Sequence, residues 1–338
     1  MTRHRFLLLA IATTGLISGC GLATDAPTGP AGGSRASLTN AEEAWELTDL
    51  GTLGGPQSTA LAINSLGQIV GYSSLANGER RAFLWENGVM TDLGTLGGTE
   101  SVGRNLNNRG QVIGSSTLPN GDSHAFLWEK GVMSDLGTLG GNGSSPIAIN
   151  EQGQIVGSAR TADSFSSFPF LWENGIMTAL SGIPGQANAI NDRGEIAGWV
   201  RETVAQPYSA VRWHEGKMTE LGIQNGNPWG INSQGQIAGR VGAFLRGFLW
   251  QEGTVAVFGG LLGSDFVNVG GINNNGDMVG SSGQGSNRFA VLWKKGQLIP
   301  IAISATQSLA QDINNRGQIV GSFVTVDGET HAALWTKR

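Results

Sequence analysis

The segment INNRGQIVG, residues 313–321, is written seven times with small changes in this 338-residue chain. The other copies start at Ile63 (INSLGQIVG), Leu106 (LNNRGQVIG), Ile149 (INEQGQIVG), Ile190 (INDRGEIAG), Ile231 (INSQGQIAG) and Ile272 (INNNGDMVG). Their asparagines, Asn64, Asn107, Asn150, Asn191, Asn232, Asn273 and Asn314, follow one another at 43, 43, 41, 41, 41 and 41 residues. A repeat of about 40–45 residues made of short strands has the period of a propeller blade.

Each copy reads apolar residue, Asn, two polar residues, Gly, then a short apolar run. Asn suits the first position of a type I turn, where its side chain bonds the backbone two residues on. Gly in the fourth place supplies the positive φ of a bulged hairpin loop. Asn273, Asn275 and Asp277 lack the further acidic ligands a calcium loop needs, so they are read as turn residues too. A second element follows: AFLWENGVM (82–90), AFLWEKGVM (125–133) and FLWENGIM (170–177), with weaker versions around Trp213, Trp250 and Trp293. An aromatic-rich run followed by Asn-Gly or Lys-Gly indicates strand, tight turn, strand. Trp85, Trp128, Trp172, Trp213, Trp250, Trp293 and Trp335 are expected as core anchors.

The order within a repeat is then strand a ending at Ile-Asn, strand b at QIVG, strand c at FLW and strand d at VMTDLGTL. The last copy stops after strand c, at Trp335. The missing strand d stands at the other end, where residues 46–55 (ELTDLGTLGG) match MTDLGTLGG from Met90 and MSDLGTLGG from Met133. The expected fold is all-β: a seven-bladed β-propeller of four-stranded blades over residues 45–338, closed by an N-terminal strand that completes the C-terminal blade.

Residues 1–19 read as a signal peptide: Arg3, His4 and Arg5, then an apolar run too short to span a membrane. The stretch Leu16-Ile17-Ser18-Gly19-Cys20 resembles the lipobox of bacterial lipoproteins, which implies cleavage before Cys20 and its lipidation. Gly21 rather than Asp after that cysteine implies passage to the outer membrane. Cys20 is the single cysteine, so an exported chain with an acylated Cys20 has no disulfide. Residues 20–44, rich in Gly, Ala, Pro, Ser and Thr, read as a flexible tether. The chain carries a net charge of −5 and no basic cluster, which argues against nucleic acid as partner.

The HAFLW, GxMxDLGTLGG and INxxGQIVG segments together resemble the bacterial extracellular HAF repeat family. The resemblance covers residues 46–338 and is specific over the first three units. After Trp213 it departs, with ELGIQNG, VFGGLLG and IPIAISA where DLGTLGG stood. Membership implies export and repeat structure and supplies no activity.

In such a fold the a–b and c–d turns share one face and the b–c and d–a loops the other. The first set is uniform here and the second varies, which makes the second the expected binding face. Strand a lines the channel, and three residues before each Asn stand Leu61, Arg104, Ile147, Asn188, Trp229, Gly270 and Gln311. Arg104, Asn188, Trp229, Gln311 and the adjacent Asp312 form a candidate set for bonding and stacking on a sugar or other polar ligand. No Ser elbow, HExxH or phosphate-loop pattern occurs, and His124 and His331 fall at equivalent places in distant repeats, so neither metal nor cofactor is expected. The expected function is a lipid-anchored, non-enzymatic binding module for a glycan, peptide or partner protein. The alternatives are a polysaccharide-active hydrolase or lyase using paired carboxylates such as Asp265 with Glu100, or a purely structural surface protein.

Overall fold

The computed structural model describes residues 45–337 apart from 165, 204, 243–245, 262–263, 265, 285–286 and 302–306. The signal peptide, Cys20 and the tether lie outside the described residues, as does Asp265.

The described residues are all-β. The first repeat forms β2 (Gly54–Ile63), β3 (Ile69–Leu75), β4 (Arg80–Glu86) and β5 (Val89–Asp92), paired antiparallel in that order. The pattern recurs from β6 (Ser101–Leu106) to β9 (Val132–Asp135), from β10 (Gly140–Ile149) to β13 (Ile176–Ala179), and from β14 (Gly185–Ile190) to β17 (Lys217–Gln224). It recurs again from β18 (Gly226–Ile231) to β21 (Thr254–Phe258) and from β22 (Val267–Ile272) to β25 (Gln297–Pro300). The last strands are β26 (Ser308–Ile313), β27 (Ile319–Val324) and β28 (Thr330–Lys337), and β28 pairs antiparallel with β1 (Trp45–Asp49). Single parallel bridges, Gln57 to Thr330 and Gly143 to Ser123, join two pairs of these groups into eight-stranded sheets.

Both turn types follow from the repeat. In the a–b turns the Gly is left-handed (φ 87° at Gly67) and its N–H returns to the Asn carbonyl. In the c–d turns both central residues have positive φ, as at Asn87 (51°) and Gly88 (84°), which is the type I′ geometry. Gln68 Nε2 donates to Glu86 Oε2 at 2.8 Å, so these two turns share a face.

The repeated asparagines do more than turn the chain. All seven are buried. In each, Oδ1 accepts the backbone N–H groups two and four residues on. In six, Nδ2 donates to the Gln or Glu side chain four residues on. The second Nδ2 hydrogen leaves the repeat: Asn64 donates to the carbonyl of Asn107, Asn107 to Asn150, and so on to Asn314, which donates to Asn64, each at 3.0–3.2 Å. An amide with two donors and a two-fold acceptor is thereby fully used, which Asp or Ser cannot imitate. Asn273 lacks the local Nδ2 bond because Asp277 is one methylene shorter than Gln; its carboxylate lies 3.7 Å from Lys294 Nζ. In the fourth copy the Gln is Glu195, and Arg212 replaces the apolar residue beside it. Burial raises the Glu195 carboxyl, but hydrogen bonds from Asn191, Arg193 and Arg212 outweigh it and bring the pKa down to about 2.

The apolar core is divided into clusters, each between consecutive groups of strands. One joins the last group to the first, placing Val320, Ala332 and Leu334 with Leu50, Ala60, Ile63, Ile69 and Phe83. The tryptophans anchor these clusters unevenly. Trp213, Trp293 and Trp335 are buried, whereas Trp85, Trp128, Trp172 and Trp250 pack from the edge and Phe83, Phe126, Phe170 and Phe248 go deepest.

Two boundaries differ from the sequence reading. Strand d is only four residues in the first three repeats, and in the first two it ends at the Asp of DLGTL, whose remaining residues form a clamp rather than strand. Asp92 Oδ1 accepts from Gly94 N, and Ser101 Oγ donates to the Gly94 carbonyl while accepting from Ala82 N. The N-terminal segment repeats this with Asp49 to Gly51 and with Ser58 to the Gly51 carbonyl and Ala332 N. Likewise β1 ends at Asp49, and Gly54 and Gly55 already belong to β2, so the strand is shorter than residues 46–55.

Replacing Asn150 by Asp keeps the shape but removes both donors and turns an anion toward the Asn191 carbonyl. It is expected to lower stability by about 1–3 kcal/mol, read from denaturation curves, whereas Asn274→Asp, at the exposed position after the repeated Asn of the sixth copy, changes it by less than about 0.5 kcal/mol.

Candidate functional site

In every strand a the pairing with strand b slips by one residue, and the residue skipped is the third before the Asn. The slips fall at Ala60/Ala62, Gly103/Asn105, Pro146/Ala148, Ala187/Ala189, Pro228/Gly230, Val269/Gly271 and Ala310/Asp312. Leu61, Arg104, Ile147, Asn188, Trp229, Gly270 and Gln311 are therefore the extra residues of seven β-bulges, a device that re-aims a side chain. All seven line one cavity of about 230 Å³, with Asp312 beside Gln311 in its wall.

A close approach of strand a accounts for the Gly at the end of each INxxGQIVG. That residue is not the end of strand b, as expected, but lies inside it, two to four residues before the strand ends. A Cβ on Gly157 would stand 2.1 Å from the carbonyl oxygen of Ser145, and the equivalent overlap occurs in all seven copies. The carbonyl two residues before the skipped one occupies the space a side chain needs.

The cavity wall is chemically lopsided. Asn188 is 2% exposed and its Nδ2 donates to Asn227 Oδ1 (2.8 Å) and to the Pro228 carbonyl (2.7 Å). Trp229 carries Arg240 over one ring face at 5.6 Å, and Arg240 reaches Asn268 Oδ1 at 3.4 Å. One face of the indole is thus occupied by a guanidinium of the same group of strands. Arg104 is open to the cavity yet crowded: burial lowers its pKa, Tyr72 raises it, and Arg80 lowers it again. Asp312 accepts from its own neighbour Ile313 N (2.8 Å) and from Ile63 N (3.0 Å), which ties β26 to β2. Burial raises the Asp312 carboxyl to about 6, against the pull of those two N–H donors.

Strand b adds side chains that the ring of bulge residues did not announce. Tyr72, Trp199 and Arg240 stand eight residues after their asparagines, where the other copies carry Ser. Arg80 stacks on Tyr72 at 4.9 Å, and Trp199 meets Tyr208 at 5.6 Å. Variation at this second position was readable in the repeats, but its nearness to the bulge position was not. The histidines behave separately. His124 bonds Asp135 of its own fourth strand (2.9 Å), and His331 bonds Asp49 of β1 in the same way (2.8 Å). Glu100 is exposed, with its backbone N–H on Thr117 Oγ1.

No family model and no curated protein sequence matches the chain. Solved structures do. The β-propeller domain of the Trilobed protease from Pyrococcus furiosus, described as having an open velcro topology, is 12% identical over 84% of this chain and 95% of its own, with a TM-score of 0.60. YCF48 bound to D1 peptide is 12% identical over 90% and 100%, with a TM-score of 0.55. Puromycin hydrolase is 12% identical over 84% of this chain, which spans about half of that enzyme (52%), with a TM-score of 0.58. At this identity the likeness concerns the fold, and the fold is a β-propeller.

The raised Asp312 carboxyl favours the folded state while it is protonated. Stability is expected to fall by about 1–3 kcal/mol as pH rises from about 4 through 6, and Asp312→Asn is expected to lose that slope. Denaturation midpoints at pH 4.5 and 7.5 check it.

Proposed function

We propose that this chain is a seven-bladed propeller, closed by β1, that acts as a non-enzymatic binding module. Its ligand enters from the face of the b–c and d–a loops and reaches the central cavity. The observation that carries this reading is the bulge ring: seven equivalent positions, one per repeat, hold residues of different chemistry in one cavity, whereas the asparagines three residues further on do not vary. A scaffold needs the second pattern. A recognition surface needs the first.

The peptide on YCF48 puts a peptide first among the ligand classes, with a glycan or a folded partner behind it. The HAF-type units and the lipobox at Cys20 fit an exported lipoprotein held at the cell envelope, so the partner is sought there. Closure is supported by the Asn314–Asn64 bond, the Asp312–Ile63 bond and the clamp of residues 49–58 on Ala332, which repeats that of residues 92–101 on Ala82.

Two experiments test the reading. The full-length protein applied to arrays of envelope peptides and glycans is expected to retain a ligand, and substitution of Trp199 and Tyr208 on the variable face to weaken retention at least tenfold. Turnover of an arrayed polymer without stable retention would contradict it. Deleting residues 45–53 is expected to leave an open strand edge and produce aggregation; a monomeric deletion variant with unchanged melting would contradict closure.

A further inference from the structure

The described chain starts at one particular end of the last sheet. Glu46 pairs with Thr336 and Leu47 with Trp335, as Val89 pairs with Glu86 and Met90 with Trp85 in the first repeat. Trp45, opposite Lys337, thus stands where the other repeats have their c–d turn, and the chain enters the sheets on the face of the uniform turns. All five lysines belong to that face. Lys130 and Lys295 open c–d turns with φ of 51° and 50°, Lys217 and Lys294 flank such turns, and Lys337 takes the equivalent place on β28. The Asn273–Asn314 and Asn314–Asn64 bonds set the sixth, seventh and first repeats side by side. At this end of the sixth and seventh, Lys294, Lys295, Arg316 and Lys337 stand against Asp277 and Glu46, and Lys294 lies 3.7 Å from Asp277. The first repeat adds Glu86, which accepts from Gln68, and two exposed apolar side chains, Leu66 (59%) and Val89 (60%). The third to fifth repeats instead present Glu151, Glu173, Asp192, Glu215 and Glu252, while Arg193 and Arg212 are both spent on Glu195.

A flexible segment as long as residues 20–44 has a span of about 25–30 Å. Six-residue strands such as β26 and β27 are about 20 Å long. Span alone therefore lets either face reach a bilayer in which Cys20 is anchored. Charge decides between them. The seventh repeat carries Arg316 and Lys337 at its turn end, and Asp49, Asp327 and Glu329 with no Lys or Arg at its loop end. An anionic lipid surface attracts the first end and repels the second, and each Lys or Arg brought close to it is worth about fivefold in partitioning. Apolar side chains at headgroup depth add to such binding, and Leu66 and Val89 flank the cations on the neighbouring repeat. We infer that the turn face of the sixth, seventh and first repeats docks on an anionic lipid surface, with Lys295, Arg316 and Lys337 at the phosphates and Leu66 and Val89 among the headgroups. The loop face, with the cavity mouth, is thereby turned away from the membrane. This rests on the reading of Cys20 as the lipid anchor.

The test places the full-length protein, purified from membranes, in vesicles of phosphatidylcholine with or without phosphatidylglycerol at about one third of the lipid. Lysines are acetylated for short times and the rate at each is read by mass spectrometry. On the anionic vesicles Lys294, Lys295 and Lys337 are expected to react at least threefold more slowly than on the neutral ones, whereas Lys217, across the same face, keeps its rate. Lys295→Glu with Arg316→Glu changes two exposed side chains and is expected to abolish the slowing at Lys294 and Lys337, with an unchanged melting curve. The inference is overturned if none of the lysines slows, if Lys217 slows as much as the others, if neutral and anionic vesicles protect alike, or if the double variant keeps the protection. A Cys20 found without acyl chains would sink the anchor reading alone. Docking is then decided by the same measurement on the chain coupled through its Cys20 thiol to a maleimide phospholipid in those vesicles, with the same outcomes for and against.

Discussion

A buried asparagine amide that spends one hydrogen on the next repeat is the interaction on which this molecule is built. Within its own turn the side chain replaces missing backbone partners. Across the gap it holds the carbonyl of a residue 41 or 43 positions away. Because every copy both gives and receives such a bond, no copy is complete alone. The arrangement is satisfied throughout only when the seventh copy finds the first, and Asn314 does so. The apolar clusters have the same logic, since each is shared by two groups of strands and none belongs to one. Stability of such a structure is a property of neighbours, and an unpaired end forfeits both an amide bond and an apolar face.

The same strands that carry the asparagines build the cavity. Three residues before each Asn the backbone bulges, the skipped residue lines the cavity, and the carbonyl two residues earlier leaves room only for a glycine on strand b. Scaffold and site are thus two ends of one short segment. The Asn end is held by three to five side-chain hydrogen bonds and does not vary; the bulge end is excused from pairing and does. Diversity at Arg104, Asn188, Trp229 and Gln311 therefore costs the sheet little. Asp312 is the exception, a charge that serves the seam between β26 and β2 while standing in the cavity wall.

Much of this was legible in the repeat. Spacing gave the strand order, Asn and Gly gave the turns, and the displaced ELTDLGTLGG gave the partner of β28. The variable ring is visible three residues before each asparagine, whereas the bulge that sets it in the cavity wall leaves no mark in the sequence. What escaped lies between copies. The Asn188–Asn227 bond joins residues 39 apart, and the Arg240–Trp229 stack covers a ring face the sequence left open for a sugar. Strand ends differ for a related reason: DLGTL alternates like a strand, but its Asp and Thr bond the backbone of their own turn, and the following Ser ties that turn to Ala82 of β4. Local pattern reports what a residue is able to do, and packing between repeats decides what it does.

The most direct measurement is a cross-link between the two ends. Glu46 lies opposite Thr336 in the β1–β28 register. In a Cys20→Ser background, Glu46→Cys with Thr336→Cys is predicted to form an intramolecular disulfide in the monomer and to raise the melting temperature, and Glu46→Cys with Thr254→Cys to form none. Failure of the first pair to close, or closure only between molecules, would contradict a ring completed by its own first strand.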